Sequence, residues 1–336
     1  MDSLISSLKR SLTRLFVLIP VLVSLSISPL SVSALYPSDP SSVETLDTSL
    51  AGQDLQNTEY VKYDLSGKDL GGANFTGADL SSVDFTNSDL SYSDFDGATL
   101  SYAKFVNTNL NGAKFSGNYS SLTIRDSDLT SSRWGGVVLD WVRFENVDLS
   151  WAEFGAITLD SVWFSDSTFY YTDIACFENE GDVRFYRNSI TYVDMVVLNT
   201  YCEPLDDQGD WSDTWFQQNS FTGVLFEYGN FDGATFFCNS FFESSLSYND
   251  FTTPGRETSF SSWWGYPTNE VCPQTFVDTW LEDSTFYSIG GEGTSFEGSS
   301  LDGSTFIYDG DGLSQAISWS DTFCPDGTNS DDNEDT

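Results

Sequence analysis

The chain reads as an all-β solenoid, a backbone coil whose flat faces each take five residues. Three observations carry that reading. A large apolar residue recurs at every fifth position, a small residue stands two places before it, and Asp or Asn often stands between the two. A period of five matches neither the 3.6 of a helix nor the 2 of a half-buried strand. In a coil of this kind the bulky and the small position turn inward together, and the other three positions of each five meet solvent.

The first element is an export signal, expected over residues 1–34. Lys9, Arg10 and Arg14 stand against Asp2, the stretch from Phe16 to Leu30 is apolar and rich in serine, and Val32-Ser33-Ala34 offers the small residues that a signal peptidase needs. Prolines interrupt the stretch and it falls short of the roughly 20 apolar residues of a membrane span. The mature chain is therefore expected outside the cytoplasm, with no membrane span left after cleavage. Residues 35–49 follow as an N-terminal cap. The first turn carries Gln53, Tyr63 and Lys68 where later turns carry small inward residues, which suits an open end that something must seal.

The coil itself is expected over 50–323. From Leu50 the large residue keeps its register without a break to Phe115, through Phe75, Leu80, Phe85, Leu90, Phe95, Leu100, Phe105 and Leu110. One residue drops out near Asn118, after which the register resumes at Tyr119 and runs through Phe144, Leu149 and Phe154 to Ile174. A later block includes Phe221, Phe226, Phe231 and Phe236, and a less regular one runs from Phe276 to Phe306. These centres are the candidate core. Ala73, Ala78, Ala98, Ala103 and Ala113 are typical of the small inward position, and Asp69, Asn74, Asp79 and Asp84 of the position before the centre.

The segments Ala73-Asn74-Phe75-Thr76-Gly77, Ala78-Asp79-Leu80-Ser81-Ser82 and Ala113-Lys114-Phe115-Ser116-Gly117 resemble the pentapeptide-repeat family, whose pattern is A-(D/N)-(L/F)-x-x. The resemblance implies a right-handed quadrilateral β-helix with four repeats per turn. At the ~4.8 Å spacing of stacked strands, about 44 repeats give about 11 turns and a length of ~50 Å. It also implies that the aspartates before the centres hydrogen-bond within the turns and stack from turn to turn, with Asp69, Asp89, Asp128 and Asp148 as one ladder. Members exported to the thylakoid lumen or periplasm are similar over residues 64–80, so those compartments and the extracellular space are the expected locations.

Insertions are expected near 196–210, 252–258 and 265–275, where Pro, Gly and Asn cluster. An exported chain can keep disulfides. Cys176 and the loop's Cys202 lie one turn apart, as do Cys238 and Cys272, so these are candidate pairs. Cys324 is left over, and five reduced thiols are the alternative. Residues 324–336 read as an acidic, disordered tail.

Charge and composition exclude several functions. Lys and Arg number 13 against 51 Asp and Glu, histidine is absent, and the net charge is -38. A basic nucleic-acid-binding face therefore has too few cations, and histidine chemistry is impossible. No nucleophile–base pair or phosphate-binding glycine loop occurs, so catalytic, cofactor-binding and metal residues are all expected to be none. Asp206-Asp207 and Asp309-Gly310-Asp311 are acidic enough for Ca2+ but lack an EF-hand's ligand spacing, and plain loop acids are the expected reading. Asn74-Phe75-Thr76 and Asn118-Tyr119-Ser120 match glycosylation acceptors and are read as accidental outside a eukaryotic host. Trp151 and Tyr171 stand 20 residues apart and are expected one above the other on one side, with Tyr92 further down the same column; Trp141, Trp163, Tyr170, Trp263 and Trp264 are also expected outward or in loops. Exposed aromatics mark recognition surfaces, or else pack under loops. The expected role is a non-enzymatic structural or protein-binding scaffold, its partner another protein. Alternatives are an inhibitor that imitates DNA at a topoisomerase, as some members of the family do, and a surface that binds calcium, ice or glycans.

Overall fold

Over residues 60–103 each corner of the coil is a four-residue turn that begins at an inward centre. In Leu80-Ser81-Ser82-Val83 the Val83 N–H donates to the Leu80 carbonyl at 3.1 Å, and Ser82 sits at φ 60°. Its neighbours repeat the pattern: the third turn residue is left-handed whether it is Gly72, Asn87, Tyr92 or Trp151. The residue before the centre braces the turn. Asp79 Oδ1 accepts from the Ser81 N–H at 3.0 Å and from its hydroxyl at 2.5 Å, and Asn74 and Asp148 do the same. These side chains hold turns as Asx caps do.

The computed structural model describes residues 50–57, 59–193, 195, 211–226, 231, 234–246 and the strand segments with adjoining residues between 259 and 322. The expected signal, N-terminal cap, acidic tail, Cys202, Cys324 and both Ca2+ candidates lie outside the described residues. All the described residues belong to one compact unit. No helix occurs among the described residues, so none there is long and apolar enough to cross a membrane.

Four parallel bridges, Asp54 to Asn74, Glu59 to Asp79, Asp64 to Asp84 and Asp69 to Asp89, show one full turn and its four faces. One face becomes a nine-stranded parallel sheet in which Phe105, Ile124, Phe144, Phe164, Phe185, Phe216, Phe236 and Phe260 lie in register. Another climbs from Asp69 through Asp89, Asn109, Asp128 and Asp148 to Thr168, and continues as a seven-stranded sheet to Ser318–Ser320. A third carries the longest strands, Lys114–Ser120, Arg133–Asp140, Glu153–Asp160 and Asp173–Asn179, which run through what elsewhere are corners. The residue missing near Asn118 is absorbed here as a register shift between Phe115 and Gly117. Chain growth is therefore an all-β, parallel β-solenoid.

The centres fill the axis. All the core candidates from Phe75 to Phe236 are buried. Phe75, Phe95, Phe115, Trp134 and Phe154 stack with centroids 5.2, 5.1, 3.9 and 5.8 Å apart. Phe144, Phe164, Phe185, Phe216 and Phe236 form a second column at 4.8, 4.9, 5.1 and 4.6 Å. The second column keeps the strand spacing throughout, and the first departs from it only around Trp134, so aromatic stacking and backbone pairing reinforce each other. The Trp134 indole is accommodated because Ser132 Oγ accepts its N–H at 2.9 Å. Tyr119 satisfies its hydroxyl on the Phe95 and Ser116 carbonyls, and burial pushes its phenol far up.

Two details extend the expected organisation. The third insertion begins before 265 and contains its own antiparallel pair, Trp263–Trp264 with Val271–Cys272, while Thr275 already belongs to the coil, paired with Ser240. The coil also continues past Phe306, with Trp319 opposite Phe296. Cys238 is disulfide-bonded. Its backbone follows Phe237, which pairs with Ser261 immediately before that antiparallel insertion.

Candidate interaction surface

The left-handed corner residue points outward, so corners one turn apart build vertical columns on the surface. Backbone bonds from Tyr92 to Asn111, Gly112 to Thr130, Ser131 to Ser150, Trp151 to Tyr170, Tyr171 to Thr191 and Tyr192 to Thr222 place Tyr92, Gly112, Ser131, Trp151, Tyr171, Tyr192 and Gly223 in one such column. Trp151 and Tyr171 stack at 4.8 Å and 18°, and Tyr171 and Tyr192 at 5.1 Å and 25°. Tyr170 meets Trp151 and Tyr171 edge-on at 5.8 and 4.7 Å. The rings remain open to solvent: Trp151 is 55% exposed, Tyr171 45% and Tyr192 42%.

The glycines of the column are required by these rings. A Cβ at Gly112 would fall 2.6 Å from the Tyr92 ring, and one at Gly223 would fall 2.5 Å from the Tyr192 ring. Both glycines also have φ near +60°, where a side chain is strained. Tyr92 therefore lies over Gly112, apart from the upper stack. Trp141 stands on a different corner, in column with Ser121 and, below it, Tyr102. Sequence spacing alone singles out Tyr92, Trp141, Trp151 and Tyr171; it misses Tyr192, because an extra residue makes the preceding step 21 residues long.

On the nine-stranded face the chain's own cations cover aromatic rings. Arg143 lies over Trp163 at 4.4 Å, Arg184 lies over Trp163 at 5.3 Å and over Trp215 at 5.5 Å, and Arg187 covers Tyr186 at 4.5 Å. Asp182 holds Arg184 by two hydrogen bonds of 2.7 Å.

The carboxylates of the corners serve the backbone. Asp64 is held below the usual carboxylate range by hydrogen bonds from the Ser66 side chain and N–H. Partial burial pushes Asp84 up, but the Thr86 hydroxyl and the Lys104 ammonium at 2.9 Å pull it down further. A depressed folded-state value means stabilisation that is complete above the unfolded value of about 3.9 and is lost as pH falls through the folded one. An Asp64→Asn, Asp84→Asn double variant should therefore show a shallower fall of unfolding midpoint with pH below about 4 than the parent, measured by circular dichroism melts. Among the described residues no cluster of His, Cys, Asp or Glu could hold a metal ion.

A family model for pentapeptide repeats matches in eight copies, over residues 64–91 and 78–117. No curated protein matches the chain. Among solved structures the chain is similar to HetL, a pentapeptide-repeat protein involved in heterocyst differentiation regulation from the cyanobacterium Nostoc, at 16% identity over 82% of this chain and 91% of HetL, with a TM-score of 0.19. It is similar to Rfr23 of the cyanobacterium Cyanothece at 18% identity over 40% of this chain and 89% of that one, with a TM-score of 0.21. It is also similar to QnrB1, a plasmid-mediated fluoroquinolone resistance protein, at 17% identity over 51% and 83%, with a TM-score of 0.31. Residues 64–117 are thus a run of pentapeptide repeats, set within the parallel five-residue coil.

Proposed function

We propose that this chain is a non-enzymatic, exported scaffold that binds another protein through its aromatic corner column. The observation that carries the reading is the stack of Trp151, Tyr171 and Tyr192 in the open, with no loop among the described residues folded over it. Rigid aromatic rings supply contact area at low entropic cost and dominate recognition energetics. The carboxylates of the described corners brace turns, and no nucleophile with a base accompanies them, which supports binding over catalysis.

Export through residues 1–34, to a periplasm, a thylakoid lumen or the extracellular space, and a Cys238–Cys272 bridge belong to the same reading. Peptide mapping of non-reduced protein should recover those two cysteines in one linked fragment; finding Cys238 bonded elsewhere rejects that pairing. A fluorescent fusion retained in the cytoplasm would reject export.

Capture from the native compartment tests the scaffold. The parent should retain a protein that a Trp151→Leu, Tyr171→Leu variant loses, and equal retention by both would move the site elsewhere on the coil. The net charge of -38 favours one second reading, imitation of DNA. Inhibition of topoisomerase supercoiling by the purified chain is its test.

A further inference from the structure

We infer that the aromatic column is a docking surface for an arginine-bearing, extended segment of a protein partner, an inference that rests on the binding role proposed for that column. The chain itself displays the mode of recognition. Each described indole on the nine-stranded face is capped by guanidinium from a neighbouring turn, as Trp163 is by Arg143 and Arg184. Trp151 is treated differently. Tyr171 covers the side of its ring that faces the next turn, Tyr170 meets it edge-on, and the position one turn below is Ser131, whose side chain is too short to cover the other side. Among the described residues no cation lies over this ring.

The charges beside the column select a cation. Asp148 stands three residues before Trp151 and is exposed, and Glu153 and Asp173 stand two residues after Trp151 and Tyr171 on adjoining strands, both exposed. At Glu153 a cation of the chain competes: Arg133 Nε is 3.2 Å from Glu153 Oε2, and both side chains are more than half exposed. An exposed pair of this kind is weak and exchanges readily with an incoming guanidinium. Arginine suits the site better than lysine, because its planar group stacks on an indole while its edge donates to a carboxylate. A whole-chain charge of -38 further favours approach of a basic segment and disfavours an acidic one.

The test uses the full chain and a synthetic peptide of alternating arginine and serine, with citrulline replacing arginine as the uncharged control, followed by tryptophan fluorescence and calorimetry. The arginine peptide should bind and the citrulline peptide should not. A Trp151→Leu, Tyr171→Leu variant should lose about tenfold in affinity, while a Tyr102→Leu, Trp141→Leu variant on the other corner should lose none. Both variants alter exposed side chains, and unchanged far-ultraviolet circular dichroism would show the coil intact; a single Trp151→Leu change serves if the pair disturbs it. Equal affinity of parent and column variant would overturn the inference, since attraction would then be to bulk negative charge. Equal binding of the citrulline peptide would overturn it as well. If the column variant loses a captured partner but the arginine peptide does not bind the parent, the inference falls and the scaffold reading stands; if the column variant loses neither, both fall.

Discussion

Replacing Asn219 by leucine is expected to destabilise the middle of the coil by about 3–5 kcal/mol, although the volumes are similar and the site is buried. The reason is an internal polar ladder. At this inward position the backbone N–H of one turn is satisfied by the side chain of the next: the Thr108 N–H donates to Ser127 Oγ at 3.0 Å, Val147 to Ser167 Oγ at 3.2 Å, Ser167 to Asn188 Oδ1, Asn188 to Asn219 Oδ1 and Asn219 to Asn239 Oδ1, the last three at 2.9, 2.9 and 2.8 Å. The Asn219 amide also donates to the Phe185 carbonyl at 2.9 Å. Leucine would strand the Asn188 N–H and the Phe185 carbonyl without partners in a dry interior, at roughly 1–3 kcal/mol each, and would weaken the amide contacts on either side. Serine should recover part of the loss, because Ser167 already accepts from the turn below at the same position. Hydrogen exchange is the suitable measurement, since a solenoid opens locally. Protection should collapse in strands Arg184–Tyr186, Trp215–Gln217 and Thr235–Phe237 and stay high near Phe85. A leucine variant with parental protection would show that the ladder contributes nothing.

The centres were legible because one constraint repeats: each five residues must return a bulky side chain to the axis, so Phe75 or Phe144 is identified by register alone. The column of Trp151 and Tyr171 was legible for the same reason, since 20 residues return the chain to the same corner. Features that depend on an irregular step were not. Tyr192 follows a step of 21 residues, and Asn188 reaches Asn219 across an insertion that makes the step 31. Nothing in either residue type says that the two positions stack. Asparagine at an inward position reads as a poor fit until the neighbouring turns show that each amide has a carbonyl and a side-chain oxygen waiting. Trp319 is not identified by register, because no regular run surrounds it. The arginine caps on Trp163 and Trp215 need knowledge of which outward residues are vertical neighbours, and sequence supplies this only once the turn lengths are known.

Trp134 presents the opposite case, a bulky residue whose position was plain and whose size was not explained by the repeat. It occupies a column otherwise filled by phenylalanine, with Phe115 at 3.9 Å and Phe154 at 5.8 Å, next to the register shift left by the missing residue. The larger ring stacks on both phenylalanines and also meets Phe144 edge-on at 5.5 Å. Trp134→Ala should therefore cost about 3–5 kcal/mol, combining lost burial, a cavity and two broken stacks. Trp134→Phe should cost clearly less, about 1–2 kcal/mol, because stacking survives and only part of the volume is lost. Neighbouring turns contact only each other, so the alanine variant should lose exchange protection in Lys114–Ser120, Arg133–Asp140 and Glu153–Asp160 before the ends of the coil respond. A uniform loss along the whole chain would mean that the turns unfold as one cooperative unit, and a phenylalanine variant as damaged as the alanine one would mean that the indole N–H to Ser132, rather than packing, holds this turn.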